Sequence, residues 1–292
     1  MVALKYLYFM LAILQALNES YSYKPVIIIH GILEGASGLE ELKSYIDKAH
    51  PGTEVHAIDM FDYYNSFEPM WNQVEAIRNV THSIMKSAKN GVHIIGYSQG
   101  GLIARGLIQT TDDHNVDNFI ALSSPLNGQY GDTYVFNWLF PHIIKEEMYK
   151  LFYTKYGQSW SIGNYWKDPH EITRYEEYSD FLAQLNKEVK AENSKFKTSW
   201  KNNFTRLKKL VLIGGPDDEV ITPWQSAQFG FYNGHELVEP MKNLKVYRDD
   251  SFGLLTLDKS ESIQTCTFPG VRHLRWPKTP TVFEKCIEPF LT

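Results

Sequence analysis

The chain has 292 residues, a formal net charge of −5 at pH 7, a pI near 6.1 and 43% hydrophobic residues. That is enough apolar side chain to bury a sizeable core, and mild acidity without any basic run argues against a nucleic-acid partner. Low-complexity tracts and internal repeats are missing, as are His-Glu-x-x-His, Cys-x-x-Cys, the P-loop and the dinucleotide-binding glycine fingerprint, so neither a metal nor a cofactor is expected.

At the N-terminus Lys5 precedes an apolar stretch, Tyr6 to Leu14, that is too short to span a bilayer, and polar Asn18-Glu19-Ser20 follows. The pattern reads as a secretory signal peptide over about residues 1–22, leaving residues 23–292 as a single domain in the secretory pathway. No later segment of the sequence reaches transmembrane length.

Pro25-Val26-Ile27-Ile28-Ile29 is a continuous, β-branched apolar run of the kind buried on both faces of a parallel sheet, and it breaks at His30-Gly31-Ile32-Leu33. A helix near 38–49, a strand near 54–58 and a long amphipathic helix over about 68–89 come next. Val92-His93-Ile94-Ile95 then leads into Gly96-Tyr97-Ser98-Gln99-Gly100-Gly101 and on into Leu102-Ile103-Ala104-Arg105. This is strand, sharp turn and helix with a serine at the apex, the context in which G-x-S-x-G marks a nucleophile elbow. A serine so placed has the positive end of the following helix beside it, so the Gln99 backbone N–H is one candidate oxyanion donor; Ile32, after the strand and His-Gly, supplies the other.

The alternation continues through a strand near 118–122, stops at Ser123-Ser124-Pro125, and resumes only at Lys209. Aromatic residues, 14% of the chain, concentrate in between, so about 126–205 is expected to be a helical and loop insertion packed over the catalytic edge of the sheet. Such alternation implies a mostly parallel central sheet with helices on both faces. Leu210-Val211-Leu212-Ile213 is another buried strand, and its exit loop, Gly214-Gly215-Pro216-Asp217-Asp218-Glu219, holds the candidate acid. Asp218 is favoured, because Asp-x-Val-Ile-x-Pro sets it where hydrolases of this class carry the triad acid; Asp217 is the rival. A last strand is expected around Leu244 to Tyr247. His273 follows it and is the candidate base, whereas the rival His235 precedes it; His50, His93, His114 and His142 read as structural or solvated.

Cys266 and Cys286 flank the His273 loop, and in an oxidising compartment they form either a disulfide or a pair of buried thiols. Asn79-Val80-Thr81 and Asn203-Phe204-Thr205 make Asn79 and Asn203 glycosylation candidates. Oligomeric state leaves no mark in the sequence.

Taken together, these residues resemble the lysosomal palmitoyl-protein thioesterases, and more closely the second, acyl-CoA-preferring branch of that family. The resemblance runs from about Lys24 to the C-terminus. It rests on Gly96-Tyr97-Ser98-Gln99-Gly100-Gly101-Leu102, Asp112-Asp113-His114-Asn115-Val116-Asp117, Gln129-Tyr130-Gly131-Asp132-Thr133, Gly214-Gly215-Pro216-Asp217-Asp218 and Val220-Ile221-Thr222-Pro223-Trp224-Gln225-Ser226. The resemblance implies an α/β-hydrolase fold and a Ser98, Asp218, His273 triad. It also implies cleavage of long-chain fatty acyl thioesters in the lysosome without a cofactor, and it favours the disulfide for Cys266 and Cys286. One departure stands out: this branch carries further cysteines where the chain has Gly96, Ala104, Phe152 and Gly163. The same scaffold without thioester preference would be a lipase or carboxylesterase, and without catalysis a lipid-binding protein.

Overall fold

The structure is a computed structural model that describes residues 23–292, so the proposed signal peptide lies outside the described residues. Six strands form one sheet in the spatial order β2-β1-β3-β4-β5-β8, every neighbouring pair parallel. They are β1 (Val26–Ile29), β2 (Val55–Ala57), β3 (Val92–Tyr97), β4 (Val116–Leu122), β5 (Lys209–Gly214) and β8 (Ile263–Thr267); β6 (Phe231–Tyr232) and β7 (Val238–Glu239) make a separate antiparallel hairpin. Because side chains alternate along a strand, each β-branched run feeds two cores. Ile27, Ile29, Ile94, Phe119, Leu210 and Leu212 pack on one face, and Val26, Ile28, Ile95, Ile120, Val211 and Ile213 on the other. Each such buried side chain contributes about 1.5–3 kcal/mol.

The helix Met70–Ser87 begins after Pro69 and buries Met70, Val74, Ile77, Thr81 and Met85, the spacing of one helical face. The helix Gln99–Thr110 is buried almost throughout, because the elbow drives it into the centre of the molecule. Between β4 and β5 the chain runs through short helices such as Tyr134–Leu139, Ser161–Tyr165 and Thr198–Phe204 instead of strands. No helix among the described residues is long and apolar enough to cross a membrane.

The strand expected around Leu244 to Tyr247 is instead the single helical turn Lys245–Arg248, with Val246 and Tyr247 buried against the core. The true last strand of the sheet is β8, whose Gln264, Thr265 and Thr267 are exposed. An edge strand pairs on one side only and faces solvent, so it lacks the apolar run that marks the inner strands.

Candidate active site

Ser98 sits between β3 and the helix Gln99–Thr110 with φ 54° and ψ −127°. A non-glycine residue here costs on the order of 1–3 kcal/mol and persists only where its surroundings over-determine it. Two constraints do so. The Ser98 N–H donates to Leu122 O at 3.0 Å, and the turn is so tight that a Cβ at Gly100 would lie 2.2 Å from Ile29 O. The result is a serine only 5% exposed, with its hydroxyl directed at His273: Ser98 Oγ and His273 Nε2 are 2.9 Å apart.

The other ring nitrogen of His273, Nδ1, lies 2.9 Å from Asp218 Oδ1 and 3.0 Å from Oδ2. Backbone geometry fixes the pair as well, since the His273 N–H donates to Asp218 O at 2.8 Å. Asp218 Oδ1 accepts from the N–H groups of Val220 at 3.1 Å and Ile221 at 2.7 Å, and Oδ2 accepts from Trp276 Nε1 at 2.6 Å and from the Ser123 hydroxyl. Burial alone would push this carboxyl up. The adjacent imidazole, its hydrogen bond, the Ile221 N–H and the Ser123 hydroxyl outweigh burial and hold the carboxyl below its ordinary value.

The rival residues lie elsewhere. Asp217 is exposed, and its Oδ2 accepts from Gly270 N–H at 2.7 Å, which braces the loop leading to His273. His235 is exposed on the β6–β7 turn, where its N–H donates to Asn233 Oδ1. A Cβ at Gly31 would sit 2.8 Å from Ser98 Cβ, so the His30-Gly31-Ile32 loop passes directly beside Ser98. Neither a backbone nor a side-chain acceptor holds the Ile32 N–H among the described residues. Gln99, as the first residue of its helix, likewise has an N–H with no intrahelical acceptor. Both N–H groups therefore stand beside Ser98 without a protein acceptor among the described residues.

Cys266 and Cys286 form a disulfide. Asn79 is exposed on the helix Met70–Ser87. Asn203 is only 2% exposed, and its Nδ2 donates to Gln109 O and Asp112 Oδ1, each at 2.9 Å, so the folded chain uses this amide as a structural bridge.

Ser123, Trp276 and the Gln99 side chain escape sequence reasoning. Gln99 Nε2 donates to Ser66 O at 2.8 Å and the Leu33 N–H to Ser66 Oγ at 2.8 Å, so Ser66 ties the elbow to the loop that follows β1. The only hint of Ser123 is its position at the C-terminal end of β4, where active-site groups collect in such sheets. Two cavities meet at Ser98. One is an apolar cleft under the insertion, walled by Phe136, Leu139, Phe140, Ile162, Tyr165 and Trp166; the other, lined by Glu34, Tyr97, Arg272, His273 and Arg275, shares Ile32, Ser98 and Val220 with it.

Residues 25–273 match the palmitoyl protein thioesterase family. The Xenopus laevis protein named Lysosomal thioesterase PPT2-B is 49% identical over 288 residues, which cover 98% of this chain and 99% of that protein. The Homo sapiens Lysosomal thioesterase PPT2 is 48% identical over 271 residues, covering 93% of this chain and 89% of the relative. Among solved structures, the lipase BlEst2 of Bacillus licheniformis in its mature form matches with a TM-score of 0.52 at 13% identity over 93% of each chain, a likeness of α/β-hydrolase fold alone. With the family match running over residues 25–273, from β1 to His273, and relatives nearly half identical over almost the whole chain, this chain belongs to the palmitoyl protein thioesterase family.

Proposed function

We propose that the chain is a lysosomal serine hydrolase that cleaves long-chain fatty acyl thioesters such as palmitoyl-CoA, with Ser98 as nucleophile, His273 as general base and Asp218 as its orienting acid. The observation that carries this reading is the unbroken hydrogen-bonded series Ser98, His273, Asp218 at the mouth of an apolar cleft, in a member of a thioesterase family.

The acyl chain occupies the aromatic cleft, which brings the thioester carbonyl to Ser98. Ser98 Oγ attacks that carbon as its proton passes to His273 Nε2, and the Gln99 and Ile32 N–H groups take the oxyanion. Collapse of the tetrahedral intermediate breaks the C–S bond. The thiol departs with the proton from the imidazolium, leaving acyl-Ser98. Water then attacks with His273 again as base, and the fatty acid is released. Asp218 remains ionised throughout and stabilises the imidazolium.

The test is hydrolysis of palmitoyl-CoA, an S-palmitoylated peptide and a matched palmitoyl oxygen ester, from acid to neutral pH, beside Ser98→Ala. Palmitoyl-CoA turnover that disappears in the variant supports the reading. Preference for the oxygen ester overturns it in favour of a lipase or carboxylesterase, and no turnover of any substrate in favour of lipid binding.

A further inference from the structure

Glu34 lies in the second cavity beside Ser98 and His273, and the mechanism above makes no use of it. Its backbone is fixed on both sides. The Leu33 N–H donates to Ser66 Oγ at 2.8 Å, Leu33 adopts the left-handed φ of 58°, and the Tyr63 N–H donates to Glu34 O at 2.8 Å. Ser66 is in turn tied to the start of the nucleophile helix through Gln99. The carboxyl is thus presented to the cavity by a pinned loop, yet Glu34 Oε2 is buried without a hydrogen-bond partner among the described residues.

Titratable and charged groups surround it from several elements. His273 and Lys278 face it from the 3-10 helix His273–Lys278, His30 from the end of β1, where its Nε2 lies 3.2 Å from Asp62 Oδ1, and Tyr97 from the end of β3; Asp218, Glu219, Arg272 and Arg275 line the same cavity, and Arg272 is paired with Glu219. Burial pushes the carboxyl up from its ordinary value, which the neighbouring His273, His30 and Lys278 offset only in part.

We propose that Glu34 is a positioning residue that sets the working pH of the site by holding its carboxylate opposite His273 across the shared cavity. The proposal rests on the reading of His273 as the base. A carboxylate opposite the ring favours the imidazolium, which aids the charge-separated transition state near neutrality but would hold the base protonated in acid.

Glu34→Gln removes the charge at every pH with almost no change of shape. The expected result is a profile that crosses the wild type: kcat near neutral pH falls about threefold, and the midpoint of the acid limb moves down by about half a pH unit, the size of a Coulomb coupling across a partly solvated cavity. Glu34→Asp, which withdraws the charge by one methylene, gives a smaller shift of the same sign and carries the test if Glu34→Gln does not fold. Each variant is assayed on palmitoyl-CoA and, in parallel, by the pH dependence of Ser98 inactivation by a fluorophosphonate probe, which reads the same base without any thioester. Superimposable profiles, or a loss by the same factor at every pH, overturn the proposal. Probe reactivity that responds to Glu34 in a protein that does not turn over palmitoyl-CoA supports this proposal while overturning the substrate reading.

Discussion

Trp276 Nε1 donates to Asp218 Oδ2 at 2.6 Å, and Trp276 is three residues beyond His273 on the same 3-10 helix. One helical turn therefore delivers both the imidazole and the indole to one carboxylate, and Trp276, 1% exposed, shields that carboxylate from water. A hydrogen bond to a charged acceptor in such a site contributes about 1.5–3 kcal/mol. Trp276→Phe keeps most of the ring and loses the donor. Steady-state kinetics should show kcat reduced about tenfold with KM almost unchanged; a rise in KM alone would mean that the indole shapes the cavity instead of orienting the acid.

Asp218 and Asp217 are adjacent in sequence and unlike in surroundings, one buried against His273 and the other exposed under Gly270. Asp218→Asn should lower kcat by about 10³–10⁴-fold, because the amide no longer holds the imidazole in the productive tautomer. Asp217→Asn should stay within about twofold of wild type. Equal losses in the two variants would reopen the choice of acid.

What the sequence made legible was whatever is encoded locally. The inner strands announce themselves because burial on both faces demands continuous β-branched runs, and the elbow does so because its close approaches demand glycine and serine at fixed spacing. The edge strand β8 was illegible for the converse reason: with Gln264, Thr265 and Thr267 in solvent it has no apolar pattern, while buried Val246 and Tyr247 imitate a strand from a single helical turn. Ser123, Trp276 and Glu34 were illegible because their roles exist only once distant loops converge. Ser123 meets Asp218 across 95 positions of sequence, and Asn203 shows that a sequon cannot report its own burial.

The hydrogen bonds that hold the Asp218 carboxyl below its ordinary value also predict how stability responds to acid. A depressed folded-state value means that the unfolded chain binds this proton more readily. The stabilisation is therefore complete above the unfolded carboxyl value of about 4 and disappears as pH falls through the lower folded value. At lysosomal acidity the carboxylate is still ionised. Chemical denaturation of wild type and Asp218→Asn over this range should show the wild type losing stability more steeply below about pH 4. Parallel curves would mean that the carboxyl titrates alike in both states.

The aromatic cleft depends on a buried charge pair behind its wall. Lys167 Nζ lies 2.8 Å from Glu188 Oε1 and 3.2 Å from Asn127 Oδ1, and Glu188 Oε2 accepts from Tyr175 at 2.7 Å and from Asn186 at 2.8 Å. Asn127 stands at the start of the insertion, just beyond β4, and the other members lie deeper in it, so this cluster pins the insertion near its root next to Trp166, which lines the cleft. Burial would push the Glu188 carboxyl up, but Lys167 and the hydrogen bonds from Asn186 and Tyr175 outweigh it and hold it down. Removing one partner leaves a charge without compensation. Lys167→Met should cost about 3–5 kcal/mol, a fall in Tm on the order of 10 °C, and replacing Glu188 with Gln in the same chain should restore most of it. Function should follow the wall of the cleft: in Lys167→Met, turnover of a long-chain acyl thioester should drop several-fold more than that of a short-chain one, which reaches Ser98 without filling the space beside Trp166. Equal losses for the two chain lengths would show that the cluster stabilises the molecule as a whole and leaves the acyl cleft undisturbed.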